Sequence, residues 1–346
     1  MANLRSFLWV AVLVAGTPAH GTGQVLEGQL GPVEFIGLER WDAKELLEAI
    51  RRLAPDKPLA ACAVTMKSEL GFADAAVFGH FDAESPELIM SGDAELYTVI
   101  VGVEDSARVR FRTAGSGTIN LPAPWEALKS IAEEDFGTLA LATEMFHSRH
   151  DREGIRKRLE PYGIDGTVFV SPWSMIEVLD REEHRLLAHD VLSRDSSWSS
   201  RATAASVLAN FGGHDAAWHD LMLTLTDPDG RVQSTAEAVL KGFVQTEEVR
   251  PVRWAPAQQP LAALLDGTNL FAFPTVLKVL AATEIEQEFG RRLIREAPDL
   301  LLAYVGAKHE ETREAAIDLL KIVSGEDFGA DPQAWSEWLS APLNDS

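Results

Sequence analysis

The sequence predicts a small α+β unit of order β-α-α-β-β followed by an all-α superhelical array of helical hairpins. Three observations predict it. Four stretches share one spaced pattern: Arg201-x-x-Ala204-x-x-x-Leu208, Gln233-x-x-Ala236-x-x-x-Leu240, Phe273-x-x-Val276-x-x-x-Leu280 and Arg313-x-x-Ala316-x-x-x-Leu320. Their lead positions, 201, 233, 273 and 313, stand 32, 40 and 40 residues apart, a period that marks stacked helical hairpins. Between Val33 and Arg112 the chain instead alternates short β-branched runs with helix-spaced ones. Recurrent Pro and Gly breaks in the later half exclude one long coiled coil.

Residues 1–19 read as a secretory signal peptide. Arg5 precedes an apolar run from Phe7 to Gly16, and the small residues Thr17 and Ala19 set cleavage after Ala19. The run is shorter than the roughly 20 apolar residues that cross a bilayer, so the mature chain is expected without a transmembrane segment. Its expected location is periplasmic or secreted. Cys62 is the single cysteine, so no internal disulfide forms and the core alone must hold the fold. Alanines and Val64 flank it, which suits a small buried apolar residue better than a reactive thiol. The chain carries 31 basic and 53 acidic residues, a net charge of −22. Such a surface is repelled by phosphate backbones, which argues against nucleic acid as a partner.

The α+β unit is expected over 24–112. Residues 24–32 read as a glycine-rich linker and Val33–Ile36 as a first strand. Asp42 is a helix N-cap with Glu45 three residues on, and Leu46, Leu47, Ile50 and Leu53 then share one face. Pro55 stops that helix, and Pro58 opens a second that carries Leu59, Ala63, Met66 and Leu70 up to Gly71. Ala75–Phe78 and Leu96–Val101 follow as strands. Residues 108–122 read as a last strand or turn and a boundary, with Gly115-Ser-Gly117 as a hairpin or linker glycine pair. Helices resume at Trp125, apart from a short strand or crossover at Thr167–Val170.

Phe35-Ile-Gly-Leu38, the helix to Leu53, Pro58-Leu59, Leu70-Gly-Phe-Ala-Asp-Ala-Ala-Val77 and the strand Val99-Ile-Val-Gly-Val-Glu104 resemble a polypeptide-transport-associated (POTRA) domain. The resemblance implies a periplasmic module that binds extended peptides or lipoproteins by pairing with a sheet edge. The transmembrane barrel that usually follows such domains has no counterpart in this chain's patterning.

Further on, Asp227-Pro-Asp-Gly-Arg-Val232 with Ala236 and Leu240 resembles the HEAT-like repeat line Asp-x-x-x-x-Val-Arg-x-x-Ala-x-x-x-Leu, including the short variety of phycobilin-lyase-type proteins. Gln233 stands where arginine is usual, Arg201 and Arg313 hold that arginine, and Phe273 departs from it. Gly325–Pro332 with Trp335 and Trp338 resembles the C-terminal cap of exported bacterial HEAT proteins. The resemblance covers 173–340, leaves 113–172 as a helical linker region, and implies a HEAT-like superhelical solenoid that works by presenting a surface. Second helices of HEAT repeats usually line the concave side. That places Asn210, Glu237, Lys241, Asp318 and Lys321 as partner-binding residues. Arg201, Arg313 and Asp227 read as structural, tying repeats together.

Chemistry-bearing motifs are sparse. His147, His150 and Asp151 are the most metal-like set, yet zinc needs three or four converging ligands and a supporting shell, and the spacing supplies no others. His184/His189 and His214/His219 are five apart, about 140° around a helix, and do not chelate from one helix. There is no Gly-x-Ser-x-Gly elbow. No catalytic residue, metal ligand or cofactor is expected. The reading that results is a non-catalytic exported or periplasmic adaptor that binds another protein through a helical-repeat surface. A metal-assisted hydrolase or lyase on the repeat scaffold and a structural assembly subunit are the rivals.

Overall fold

A computed structural model describes residues 23–28, 30–82, 95–246 and 249–342. The expected signal peptide, residues 1–19, lies outside the described residues. The order begins β1 (Gln24–Glu27), β2 (Pro32–Ile36), α1 (Ala43–Leu53), α2 (Cys62–Glu69), β3 (Asp74–Asp82) and β4 (Glu95–Val103). The expected β-α-α-β-β order is present, with one addition. Residues 24–27, read as linker, form β1, which pairs antiparallel with β2 from Gln24↔Phe35 to Glu27↔Pro32. A strand stabilised by pairing with its neighbour need not show a buried alternation of its own, and β1 is mostly exposed.

The sheet order is β1-β2-β4-β3, with β2 and β4 parallel and β3 and β4 antiparallel. Asp42 caps α1 as expected, accepting from the N–H of Lys44 and Glu45. Side chains alternate across the sheet. Val33, Phe35, Ala75 and Ile100 face α1 and α2, joining Leu46, Leu47, Ile50, Cys62 and Met66. Ile36, Ala76, Val99, Val101 and Val103 face the other way and belong to the hydrophobic core of the helical region. A sheet covered on both faces explains the unbroken apolar run Val99-Ile-Val101. The α+β unit and the helical region therefore share one core.

After a turn at residues 106–108, residues 109–121 run extended along the loops of the helical region, against the chain order of the loops they touch. Arg108 Nε donates to Asp266 O (3.0 Å), Arg110 N to Thr268 Oγ1 (2.8 Å), Arg112 N to Thr226 O (2.8 Å), and Gly117 N to Arg194 O (2.9 Å). Gly115 passes so close that a Cβ there would sit 2.1 Å from the carbonyl carbon of Arg194. This strap, with one bridge between Gly117 and Asp195, takes the place of the expected strand or turn.

The helices are α3 (Ala123–Glu134), α4 (Phe136–Glu144), α5 (Arg152–Leu159), α6 (Val170–Glu177), α7 (Glu182–Arg194), α8 (Trp198–Val207), α9 (Asp215–Thr224), α10 (Gly230–Val244), α11 (Gln258–Asp266), α12 (Phe273–Ala282), α13 (Gln287–Glu296), α14 (Asp299–Val305), α15 (Glu310–Ser324) and α16 (Pro332–Ser340). Thr167–Val170, expected as a strand or crossover, is a 3-10 turn running into α6, because Asp165 caps it by accepting from Thr167 N–H. The chain is thus an α+β region followed by an all-α region.

Helices α8, α10, α12 and α15 pack in series, and α7, α9, α11 and α13 form a second series beside them. Ala204, Ala205, Leu208 and Phe211, then Ala236, Val239, Leu240 and Phe243, then Ala315, Ala316, Leu319, Leu320 and Val323 are all buried along the first series. The lead residues do equivalent work. Arg201 Nη1 donates to the carbonyl oxygens of Asp195 (3.1 Å) and Ser196 (2.8 Å), and Arg313 Nη1 to those of Ala307 (3.4 Å) and Lys308 (2.7 Å). Gln233 Nε2 donates to Asp227 O, again six residues back. Phe273 instead buries its ring against Tyr304, 4.8 Å between centroids.

Residues 113–172, expected as a helical linker, do more than connect: α3 packs on α8, and α4 packs on α8 and α10. At the far end Trp335 is fully buried, donates Nε1 to Gly329 O (2.8 Å) and meets Phe328 and Trp338 edge-on. Helix α16 covers α13 and α14 there. No helix among the described residues is long and apolar enough to cross a membrane.

Candidate functional site

A gathering of ionisable side chains lies where the sheet meets the start of α15. Glu34 of β2 points into the helical side and is fully buried. Its Oε1 accepts the N–H of Lys308 (2.6 Å), and its Oε2 accepts the N–H of His309 (3.1 Å) and the hydroxyl of Tyr97 on β4 (3.0 Å). A buried carboxylate with three donors is stable as an acceptor. Burial, and then the adjacent Glu34 carboxylate, push the Tyr97 phenol well above its ordinary range.

That clamp fixes the residue preceding α15. The ring of His309 lies 4.7 Å from Tyr97 and 4.0 Å from His80 on β3, centroid to centroid. Thr312 Oγ1 is 3.1 Å from His309 Nδ1, and His80 Nδ1 is 3.1 Å from Oε2 of the exposed Glu311. Burial first, then the neighbouring His80, hold the His309 imidazole below its usual pKa, against the pull of Glu311 and Glu34. Among the described residues, His80, His309 and Glu311 are the set of three or more His, Cys, Asp or Glu whose donor atoms converge, all within 4.8 Å of one another.

From the sequence no metal ligand is expected, and His147, His150 and Asp151 form the most metal-like set. The structure separates them. The His147 ring is pressed against Phe243 (5.4 Å), His150 is exposed, and Asp151 caps α5 by accepting from Gly154 N–H. Burial keeps His147 below its usual pKa. The other histidine pairs have separate partners: His184 accepts from Trp125 Nε1 (3.2 Å) and His189 sits 2.8 Å from Asp220, while His214 lies against Phe211 and His219 Nε2 is 2.7 Å from Arg253 O. Burial raises the Asp220 carboxyl above its normal range, in spite of His189. Cys62 is buried as expected, and burial pushes its thiol up to about 12.

The residues expected to bind a partner divide. Asn210 Nδ2 donates to Ile176 O (2.6 Å) and Leu179 O (3.2 Å), closing the C-terminal end of α6. Glu237 is buried, accepts from Thr275 Oγ1 (2.8 Å) and pairs with Lys241 Nζ (2.9 Å). Asp318 is exposed, and Lys321 reaches Asp327 at 2.9 Å. The first two thus serve internal contacts. The last two, with Lys241, remain at the surface.

The His80–His309–Glu311 gathering escaped sequence reasoning because its members are about 230 residues apart. Only the pair His309-x-Glu311 at a helix start was visible, and that is a common helix opening. No protein-family model, curated protein or solved structure matches the chain.

Proposed function

We propose that the helical region is a HEAT-like solenoid and that the chain is an exported, non-catalytic adaptor that holds another protein on the solvent-exposed faces of α12 and α15. One observation carries this reading. Five residues after each lead position stand Ser206, Ala238, Lys278 and Asp318. Ser206 and Ala238 are buried, and Ser206 Oγ accepts from Thr143 Oγ1 of α4 at 2.9 Å. Lys278 and Asp318 are exposed. The same face is therefore small and closed where α3 and α4 cover it, and charged and open beyond them. Mixed charge on that open half, with Lys321 beside Asp318, suits a polar protein surface rather than a phosphate polymer. The β2-α1-α2-β3-β4 order supports the POTRA-like reading of the sheet region, with β3 as an edge strand.

The test is site-specific photo-crosslinking in the host. A photoreactive residue at 318 should give one discrete adduct, and the same residue at the exposed Leu186 of α7 should give none. Lys278→Glu with Lys321→Glu should abolish the adduct while leaving thermal stability within about 0.5 kcal/mol per site. Adducts of equal yield at both positions, or none at 318, would refute the reading.

A further inference from the structure

We propose that His80, His309 and Glu311 form a binding site for one divalent transition-metal ion of the zinc class, which pins the sheet to the last hairpin. The donor chemistry is specific. Two imidazoles and a carboxylate suit zinc or cobalt far better than magnesium or calcium, which take all-oxygen shells. His80 Nδ1 and Glu311 Oε2 are 3.1 Å apart. An N and an O ligand on one tetrahedral zinc are separated by roughly 3.3 Å, given bonds near 2.0–2.1 Å. A ring nitrogen of His309 lies within 4.8 Å of both, so modest rotation of two side chains completes a three-ligand set. Because Glu311 is exposed, the fourth position opens to water.

The supporting shell distinguishes this set from a chance surface cluster. Metal-binding histidines are normally oriented by further hydrogen bonds and packing. Here Thr312, which is buried, holds His309 Nδ1 at 3.1 Å, and Tyr97 packs on the same ring. Glu34 fixes the backbone of Lys308 and His309 from beneath. The positive end of α15 opposes a cation at this place. Glu310 and Glu311 in its first turn, with Glu34 behind, supply the compensating negative charge. The ligands come from β3 and from the start of α15, so a bound ion cross-links the two ends of the described fold. This site is independent of the adaptor reading, and its test reads metal alone.

The experiment uses the untagged full chain, stripped with a chelator and titrated with zinc chloride by calorimetry. One equivalent should bind, raise the melting temperature, and remain unaffected by excess magnesium. Cobalt at one equivalent should give the strong visible absorbance of a tetrahedral site. His80→Ala should remove stoichiometric binding. Thr312→Val, which takes away support rather than a ligand, should weaken it by about tenfold. His150→Ala should bind like the parent. Should His80→Ala fail to fold, Glu311→Gln decides: the side chain is exposed, the variant folds, and its zinc affinity should fall by tenfold or more. A folded parent that binds no zinc, or a Glu311→Gln variant with parental affinity, would overturn the proposal.

Discussion

The carboxylate of Asp227 takes two nitrogens of Arg201 side by side, Nε to Oδ2 and Nη2 to Oδ1, each at 2.9 Å, in a pair almost wholly withdrawn from water. Arg112 of the strap adds a third guanidinium contact to Oδ2 at 2.6 Å and gives its other end to Leu192 O at 2.7 Å. Asp227 thus joins two consecutive hairpins to the strap that precedes both. Removing its charge would leave two buried guanidinium groups without an anion. Asp227→Ala should therefore cost about 3–5 kcal/mol in denaturant-induced unfolding. A loss below about 1 kcal/mol would mean that the cluster is hydrated rather than buried.

Leu240 is fully buried in α10, between α8 and α12. Leu240→Ala should lower stability by about 2–5 kcal/mol through the lost transfer energy and the cavity left behind. A melting curve matching the parent's would place this side chain outside the core.

Gly242 lets α10 approach α4. A Cβ there would meet His147 Cδ2 at 3.1 Å and the carbonyl oxygen of Glu144 at 3.2 Å. The backbone oxygen does not yield as a side-chain tip would. Gly242→Leu should thus destabilise by roughly 1–3 kcal/mol in spite of leucine's better helix propensity. If equilibrium unfolding shows a gain, α4 has moved off α10 without penalty.

Glu104 directly follows β4 and is buried, and burial works against its charge. Arg40 Nε (2.7 Å) and the backbone N–H groups of Glu39, Arg40 and Trp41 outweigh that cost, and hold its carboxyl below the ordinary value of 4.5. A depressed carboxyl adds stability that is present above its unfolded-state pKa and is lost as pH falls through the folded-state value. Glu104→Gln should therefore be less stable than the parent by about 1.5–3 kcal/mol at about pH 7, and the gap should narrow progressively as pH falls below the ordinary carboxyl value of 4.5. A gap that stays constant across that acid range would contradict this assignment.

The sheet and the helical region share one core, so neither should survive alone. A chain beginning at residue 104 would expose the helical partners of Ile36, Val99, Val101 and Val103. It should lose its cooperative melt and associate through the uncovered apolar face. Sharp, parent-like melting of the truncated chain would show that the helical region is self-sufficient.

Much of this architecture was legible in the sequence because it depends on neighbours in the chain. Asp42 caps its helix two and three residues on, Leu46, Leu47 and Ile50 share a face by periodicity, and the lead arginines bind carbonyl groups five and six residues back. Those contacts repeat at fixed offsets, so the alanines and leucines that accompany them belong to the interior on pattern alone. Tertiary structure alone decided which faces stay open. Ser206 and Asp318 occupy the same repeat position, yet α4 covers one and nothing described covers the other. Glu237 reads as a polar face until Thr275 of the next hairpin reaches it. β1 exists because β2 pairs with it, and the apolar run of β4 has two faces because helices close on both. The candidate metal ligands are the extreme case. His80 and Glu311 meet across about 230 residues, a distance at which local pattern carries no information and only packing brings the groups together.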